Sequence, residues 1–229
     1  MALTAELVAR CERPVEDPGP EEGYRRFADH EFRAVAEDVL RRKPPGDLWI
    51  FAYGSLIWKP EFSVSEQRRA RAFGWHRAFT IELVRWRGSV DQPGLMLALK
   101  RGGCCDGVAF RLPAEDPVGQ IEKLLRREID GPDQLSGVRW IRLATADGPI
   151  SALAFWAAPT GLDFIVDLPL TQVAGMLARA CGHLGSGAAY LYNTVTHLEA
   201  MGIHDSGLWR LQELVAIEIM RAAGAEARD

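Results

Sequence analysis

The chain has 229 residues, 27 basic and 31 acidic side chains, a formal charge of −4 and 48% apolar residues. One core of this size buries roughly 70–75% of the unfolded chain's surface, so disulfide staples are not required. The charge balance excludes a general nucleic-acid binder, which shows a clear basic excess. No apolar run approaches the ~20 residues of a bilayer span.

The four cysteines include no C-x-x-C pair. The opening MALTAELVARCERP carries Glu6 and Arg10 where a secretory segment needs an unbroken apolar stretch. Free thiols in a reducing, cytoplasmic compartment are therefore expected. The total charge also hides an asymmetry. Residues 1–47 carry a net −3, residues 48–112 a net +5 and residues 113–229 a net −6. The basic middle third is either a solvated face that pairs with acidic segments or a pocket for a small anion.

Residues 1–22 are rich in Pro and Glu, and PVEDPGPEEG predicts a mobile arm ahead of a single domain over 23–229. In YRRFADHEFRAVAEDVLRRK, Phe27, Phe32, Val35, Val39 and Leu40 recur at near-helical spacing before the Pro44–Pro45–Gly46 stop, which predicts a helix. From residue 48 the period changes. LWIFAY reads as a buried strand, and RRARAFGW and RAFTIELV follow as strand candidates.

WRGSVDQPG is a Gly/Pro-punctuated loop. LMLALK and CCDGVAFRLP predict a hairpin turned through Arg101, Gly102 and Gly103, with a bulge at Asp106–Gly107. PVGQIEKLLRREID predicts a helix with Pro117 in its first turn and Ile121, Leu124 and Leu125 as its apolar stripe. VRWIRLAT and ISALAFWAAP return to the strand pattern. The last 60 residues read as helical, with breaks near Cys181–Gly187 and Gly202–Gly207.

Most of these strands have no helix between them, which argues against parallel βαβ units. The expected fold class is α+β, a small mostly antiparallel β-barrel or sheet flanked by helices.

Several residues could carry chemistry. Tyr53–Gly54–Ser55–Leu56–Ile57–Trp58 follows the first strand, where a Gly-Ser pair can turn backbone N–H groups toward a carboxylate or phosphate. The alternative is an ordinary strand-ending turn. The spacing is not that of a phosphate-binding loop, and Ser55 does not lie in G-x-S-x-G. Glu128 follows two arginines, so on local pattern a surface ion pair is its alternative role, and Glu122 is a second carboxylate on the same helix. The five histidines form no H-E-x-x-H, and no metal site is expected. Cys104 and Cys105 are adjacent on a strand and point to opposite faces.

Four segments occur in order: WIFAYGSLIWKPEF, RARAFGWHRAF, RGSVDQPGL and RGGCCDGVAFRLP. Together they resemble the ChaC-type γ-glutamylcyclotransferases, over about residues 48–145 and more weakly through AAYLYNTVTHL. The resemblance implies release of 5-oxoproline from a γ-glutamyl compound such as glutathione, with no cofactor and no metal. It implies that Tyr53 through Trp58 bind the α-carboxylate and amino end of the γ-glutamyl unit, that Tyr190 lies near the pocket, and that Glu128, in LLRREID, is the general base and acid. Arg77 is a weaker candidate for a substrate carboxylate.

The sequence departs from many relatives after Glu128. There IDGPDQLSGVRW has Pro132 and no tyrosine, which bears on substrate preference. Other γ-glutamyl amino acids or amines, or a non-catalytic γ-glutamyl-binding protein, are the alternatives. The expected partner is a small molecule rather than nucleic acid or membrane.

Overall fold

The computed structural model describes residues 1–20, 23–158 and 165–226. Glu21 and Glu22 of the expected arm, Pro159 of ISALAFWAAP and the last three residues of the terminal helical segment lie outside them. The chain divides into two compact units. Unit 1 comprises residues 1–19, 78–98 and 161–229, and unit 2 comprises 20–77 and 99–160.

Five strands form a closed barrel in the order β1-β3-β2-β4-β5. They are β1 (Trp49–Ala52), β2 (Glu66–Leu83), β3 (Gly94–Arg111), β4 (Val138–Thr145) and β5 (Gly148–Phe155). β1 runs antiparallel to β3, with Phe51 opposite Ala109, and β4 runs antiparallel to β5, with Ile141 opposite Ala152. β2 meets β4 antiparallel at Arg71 and Ala144. Closure comes from a parallel pair that sets Trp49 against Ala152 and Ile50 against Leu153. The fold is α+β with a mostly antiparallel barrel, as expected.

All four residues of β1 are buried, so the strand shows no alternation and reads as one apolar run. Gly107 on β3 permits its close packing. A Cβ there would lie 2.5 Å from the Ala52 carbonyl oxygen and 2.8 Å from the Phe51 ring.

The long strands differ from expectation. RRARAFGW and RAFTIELV are one 18-residue strand, and LMLALK through CCDGVAFR is another, with no hairpin between its halves. Gly102 and Gly103 do adopt positive φ, 105° and 68°, but they do so inside β3. His76 Nδ1 lies 3.1 Å from the Gly102 carbonyl oxygen. A left-handed glycine pair satisfies a turn and an in-strand irregularity equally well, and barrel closure selects the second. Cys104 is exposed and Cys105 buried, in accord with strand alternation.

In unit 2, α2 (Asp29–Arg41) starts later than the apolar spacing implied. Its first turn is closed by Glu31, whose carboxylate accepts from the Ala28 N–H at 2.8 Å. Phe32, Ala36 and Val39 form its buried stripe, and the Trp140 Nε1–H donates to the Val39 carbonyl at 3.2 Å. α3 (Ser55–Trp58) is a single turn after β1. α4 (Pro117–Glu128) begins at Asp116, which caps the Gly119 N–H at 3.0 Å, and buries Ile121, Leu124 and Leu125. A 3-10 helix over Pro132–Gly137 then leads into β4.

Unit 1 contains α1 (Ala5–Ala9), α5 (Leu170–Arg179), the short strands β6 (Cys181–Gly182) and β7 (Gly185–Ser186), α6 (Gly187–Ala200) and α7 (Ser206–Glu226). The expected breaks near Cys181–Gly187 and Gly202–Gly207 thus become a two-stranded hairpin and the α6–α7 connection. The segment set apart as an arm is folded over residues 1–19. Leu3 is fully buried, its N–H donates to Gln212 Oε1 at 2.7 Å, and Asp17 chelates the Arg85 guanidinium at 2.6 and 2.7 Å. A five-residue helix followed by a Pro/Glu-rich stretch carries too little periodicity to be read from sequence.

The Gly107 contacts predict that Gly107→Ala forces backbone movement at Ala52. A destabilisation of about 1–3 kcal/mol is expected, read as a lower Tm.

Candidate active site

Unit 2 brings two of the predicted elements together. Tyr53 continues from β1 with 9% exposure, and its hydroxyl donates to the Phe155 carbonyl at 2.8 Å, which ties the loop to β5. Gly54 is the N-cap of α3. Leu56 and Ile57 are buried anchors, so any part they take in ligand contact runs through their backbone. The Ile57 N–H returns to the Gly54 carbonyl at 2.9 Å, and the Lys59 N–H returns to the Ser55 carbonyl at 2.8 Å. Ser55 and Trp58 are partly exposed.

Glu128 is the last residue of α4, and 19% of its side chain reaches solvent. Its neighbour Arg127 connects it to the loop. Arg127 Nε lies 2.9 Å from Glu128 Oε1, Nη2 donates to Ser55 Oγ at 3.3 Å, and Nη1 donates to the Lys59 carbonyl. A third group, Glu61, places its Oε2 3.3 Å from Arg127 Nη1. The helix end and the two ends of α3 therefore share one guanidinium, whose planar fork of five N–H donors suits this task.

Desolvation is the dominant influence on Glu128 and raises its carboxyl above the ordinary carboxylate range. The adjacent Arg127 opposes that rise, and Glu61 adds to it. Glu122, the competing carboxylate, has another function. It receives Arg126 at 2.8 Å, one helical turn on, and Arg126 also holds Asp29 of α2 at 2.6 Å. Glu122 therefore belongs to the α2–α4 packing, whereas Glu128 belongs to the loop.

Tyr190 lies in unit 1, on the first turn of α6, with 5% exposure. Phe79 meets it edge-on at 5.8 Å, and the Arg87 guanidinium sits 5.1 Å from its ring centre. Arg87 also donates to the Ser186 carbonyl at 3.1 Å, and its burial lowers its affinity for its proton. Arg87 opens the RGSV motif, whose pattern alone gives it no role. Arg77 is 7% exposed and donates to the Asp106 carbonyl, within the wall of β2 and β3. A cleft of about 410 Å³, lined by Asp47, Ser65, Arg111, Glu115 and Pro117 among others, contains none of the predicted site residues.

Among the described residues no group of three or more His, Cys, Asp or Glu side chains is disposed to hold a metal. His204 pairs with Glu199 at 2.6 Å, and His197 Nδ1 lies 2.7 Å from the Asn193 carbonyl. No helix among the described residues is long and apolar enough to cross a membrane.

A carboxyl raised by burial makes a signed contribution to stability. That contribution is complete below the ordinary carboxylate range, where Glu128 is neutral in both states, and is lost as pH rises through its folded-state value. Glu128→Gln removes the buried charge at constant shape. The variant is expected to match the parent near pH 4 and to melt about 2–4 °C higher at pH 7–8, the effect of about 1 kcal/mol in a chain of this size. A lower Tm at pH 7–8 would show that the Arg127 ion pair outweighs desolvation.

Residues 48–218 match the ChaC-like protein family. A protein of Escherichia coli K12 named glutathione-specific gamma-glutamylcyclotransferase is 36% identical over 182 residues, 79% of this chain and 78% of that protein. A mouse protein named glutathione-specific gamma-glutamylcyclotransferase 1 is 31% identical over 69% of this chain and 72% of its own length. In three dimensions, a yeast γ-glutamyl cyclotransferase described as specific to glutathione superposes with a TM-score of 0.63 at 19% identity. It covers 76% of this chain and 97% of its own, which shows the shared fold. With about three-quarters of its length matched by the family model and a relative 36% identical over 79% of it, the chain belongs to the ChaC-like family.

Proposed function

We propose that this protein is a γ-glutamylcyclotransferase that converts glutathione to 5-oxoproline and Cys-Gly. One observation carries the reading: a desolvated carboxylate at the end of α4 is joined by Arg127 to the loop that follows β1. The names of relatives across bacteria and mammals supply the substrate class.

The nucleophile belongs to the substrate. The α-amine of the γ-glutamyl unit attacks the γ-carbonyl carbon, a C–N bond closes the five-membered ring, and the amide C–N bond to cysteine breaks. No enzyme serine or cysteine is required. The protein must fold the substrate so that amine and carbonyl meet, an orientation effect that contributes up to roughly 7–11 kcal/mol. It must also move two protons from the attacking nitrogen to the departing one.

Ionised Glu128 takes the first proton from the α-ammonium, which is unreactive while protonated, and gives it to the departing nitrogen as the C–N bond breaks. The second, lost by the ring nitrogen after attack, follows the same route and leaves Cys-Gly as its ammonium. A carboxyl raised by desolvation suits both steps better than an ordinary one, because its proton affinity lies nearer to the working pH. The backbone of Tyr53 through Trp58 receives the α-carboxylate and amino end, and Ser55 and Trp58, the partly exposed residues of that loop, line it. Neither step assigns a metal or an organic cofactor a part. The protein works on a small molecule in the cytoplasm, in keeping with its thiols and with the supply of glutathione there.

Incubation with glutathione is expected to yield 5-oxoproline and Cys-Gly in equal amounts. Glu128→Gln should lower kcat/KM by about 10²–10⁴-fold, the contribution of a positioned proton-transfer group. In the parent, kcat/KM falls as pH drops through the raised Glu128 value, because the base is then protonated. Product formation from γ-glutamyl amino acids but not from glutathione would reassign the substrate, and no product from either would overturn the reading. Activity is expected to survive a chelator. Loss of activity that added metal restores would show a metal requirement.

A further inference from the structure

We propose that Arg127 is a positioning residue divided between Glu61 and Glu128, and that Glu61 is the counter-anion that sets how much of that guanidinium Glu128 receives. The inference rests on the proposed role of Glu128 and goes beyond it by naming two residues that act through it.

The geometry shows one cation with four acceptors. Nε faces Glu128 Oε1 at 2.9 Å, Nη2 faces Ser55 Oγ at 3.3 Å, and Nη1 serves both the Lys59 carbonyl and Glu61 Oε2, the latter at 3.3 Å. Only 17% of the Arg127 side chain reaches solvent, so its charge is poorly screened and every partner competes for it. Because Ser55 opens α3 and Lys59 closes it, the same group also fixes the height of the loop against the helix end. A one-turn helix has no internal cooperativity to hold that position by itself.

Glu61 occupies this place at a conformational cost. Its φ is 54°, in the left-handed region that non-glycine residues seldom enter and where glycine or asparagine would sit with less strain. A strained glutamate whose carboxylate faces the one guanidinium shared with Glu128 motivates a role for that carboxylate.

The charged groups around the pair are few and named. Lys59 Nζ lies 3.1 Å from Glu61 Oε1, and Lys123, on α4, acts on Glu61 and lines a second, smaller cleft together with Glu61 and Arg127. Beyond Glu128, Asp130 is held by Arg26 at 3.1 Å. Glu61 therefore has two lysines to neutralise it in part, whereas Arg127 is the one cation paired with Glu128 among the described residues. The sign of each substitution follows. Removing the positive charge of Arg127 leaves Glu128 desolvated beside Glu61 and raises its proton affinity. Neutralising Glu61 removes a like charge, frees Nη1 toward the site and lowers that affinity.

The test compares wild-type protein with Arg127→Lys, Arg127→Gln and Glu61→Gln, with melting curves to establish folding. The acid limb of kcat/KM is expected to move up by about one pH unit or more in Arg127→Gln and down in Glu61→Gln. Arg127→Lys keeps the charge but loses the fork. It should lower kcat/KM at pH 8, where Glu128 is ionised, on the order of 100-fold through misplacement of the loop.

A ¹³C NMR titration of the Glu128 carboxyl in each protein reads the same shifts without turnover. If wild type makes no product but the NMR shifts go in opposite directions, the functional reading fails and the inference stands. Shifts of the same sign in Arg127→Gln and Glu61→Gln, or none, overturn the inference even in an active enzyme. If Arg127→Gln does not fold, Glu61→Gln alone decides: an unmoved Glu128 titration refutes the shared-cation arrangement.

Discussion

One guanidinium organises the chemistry of unit 2. Arg127 stands where the C-terminal end of a helix, a one-turn helix and two carboxylates converge, and it is mostly removed from solvent. Burying a cation there is unfavourable unless it is paired, and burying Glu128 is unfavourable unless a cation offsets it. Each therefore makes the other tolerable. The carboxyl still ends above its ordinary range because desolvation exceeds the offset. In the proposed reaction this carboxyl is costly to keep charged yet must be charged to act, the usual relation between stability and function at such a site.

The barrel supplies the rigidity that this arrangement requires. β1 is short and buried along its whole length, and it pairs with β3 on one side and β5 on the other. The loop leaves from its end, and the Tyr53 hydroxyl bonds back to the last residue of β5. α4 is fixed separately, through Ile121, Leu124 and Leu125 inward and through Arg126 to Asp29 of α2. Arg127 and Glu128 follow Arg126 directly, so a helix rotated by one residue would exchange the packing arginine for the positioning one.

The basic excess of residues 48–112 resolves mostly into internal pairing. Arg68 meets Glu66 and Asp147, Arg71 chelates Asp106, and Arg111 meets Glu66 and Asp47. In unit 1, Arg85 holds Asp17, keeping that carboxyl far below its ordinary range. Arg101 stacks on Trp75 at 4.3 Å and on Trp156 at 5.3 Å. Several of these carboxylates come from outside the basic third, which is why a segment of +5 belongs to a chain of −4. Arg87 differs from them. It rests on an aromatic face and a carbonyl, and burial works against its charge.

Sequence alone determined what depends on short-range pattern. The β1 run, the first-turn proline and stripe of α4, Phe32 and Val39 of the α2 stripe, the α+β class and the motif order that marks the family are all local or linear, and the barrel strands follow from runs without intervening helices. Tertiary structure decided the rest. Gly102 and Gly103 lie within a strand because closing a barrel requires long, curved strands, and their φ values are compatible with either outcome. Residues 1–19 fold because Leu3 and Asp17 find partners about 200 and 70 residues away, which no window of sequence contains. Glu128 and Glu122 look alike in LLRREID and its preceding turn. What separates them is the neighbour each helical face meets, the Ser55–Lys59 turn for one and α2 for the other, and that is a property of packing.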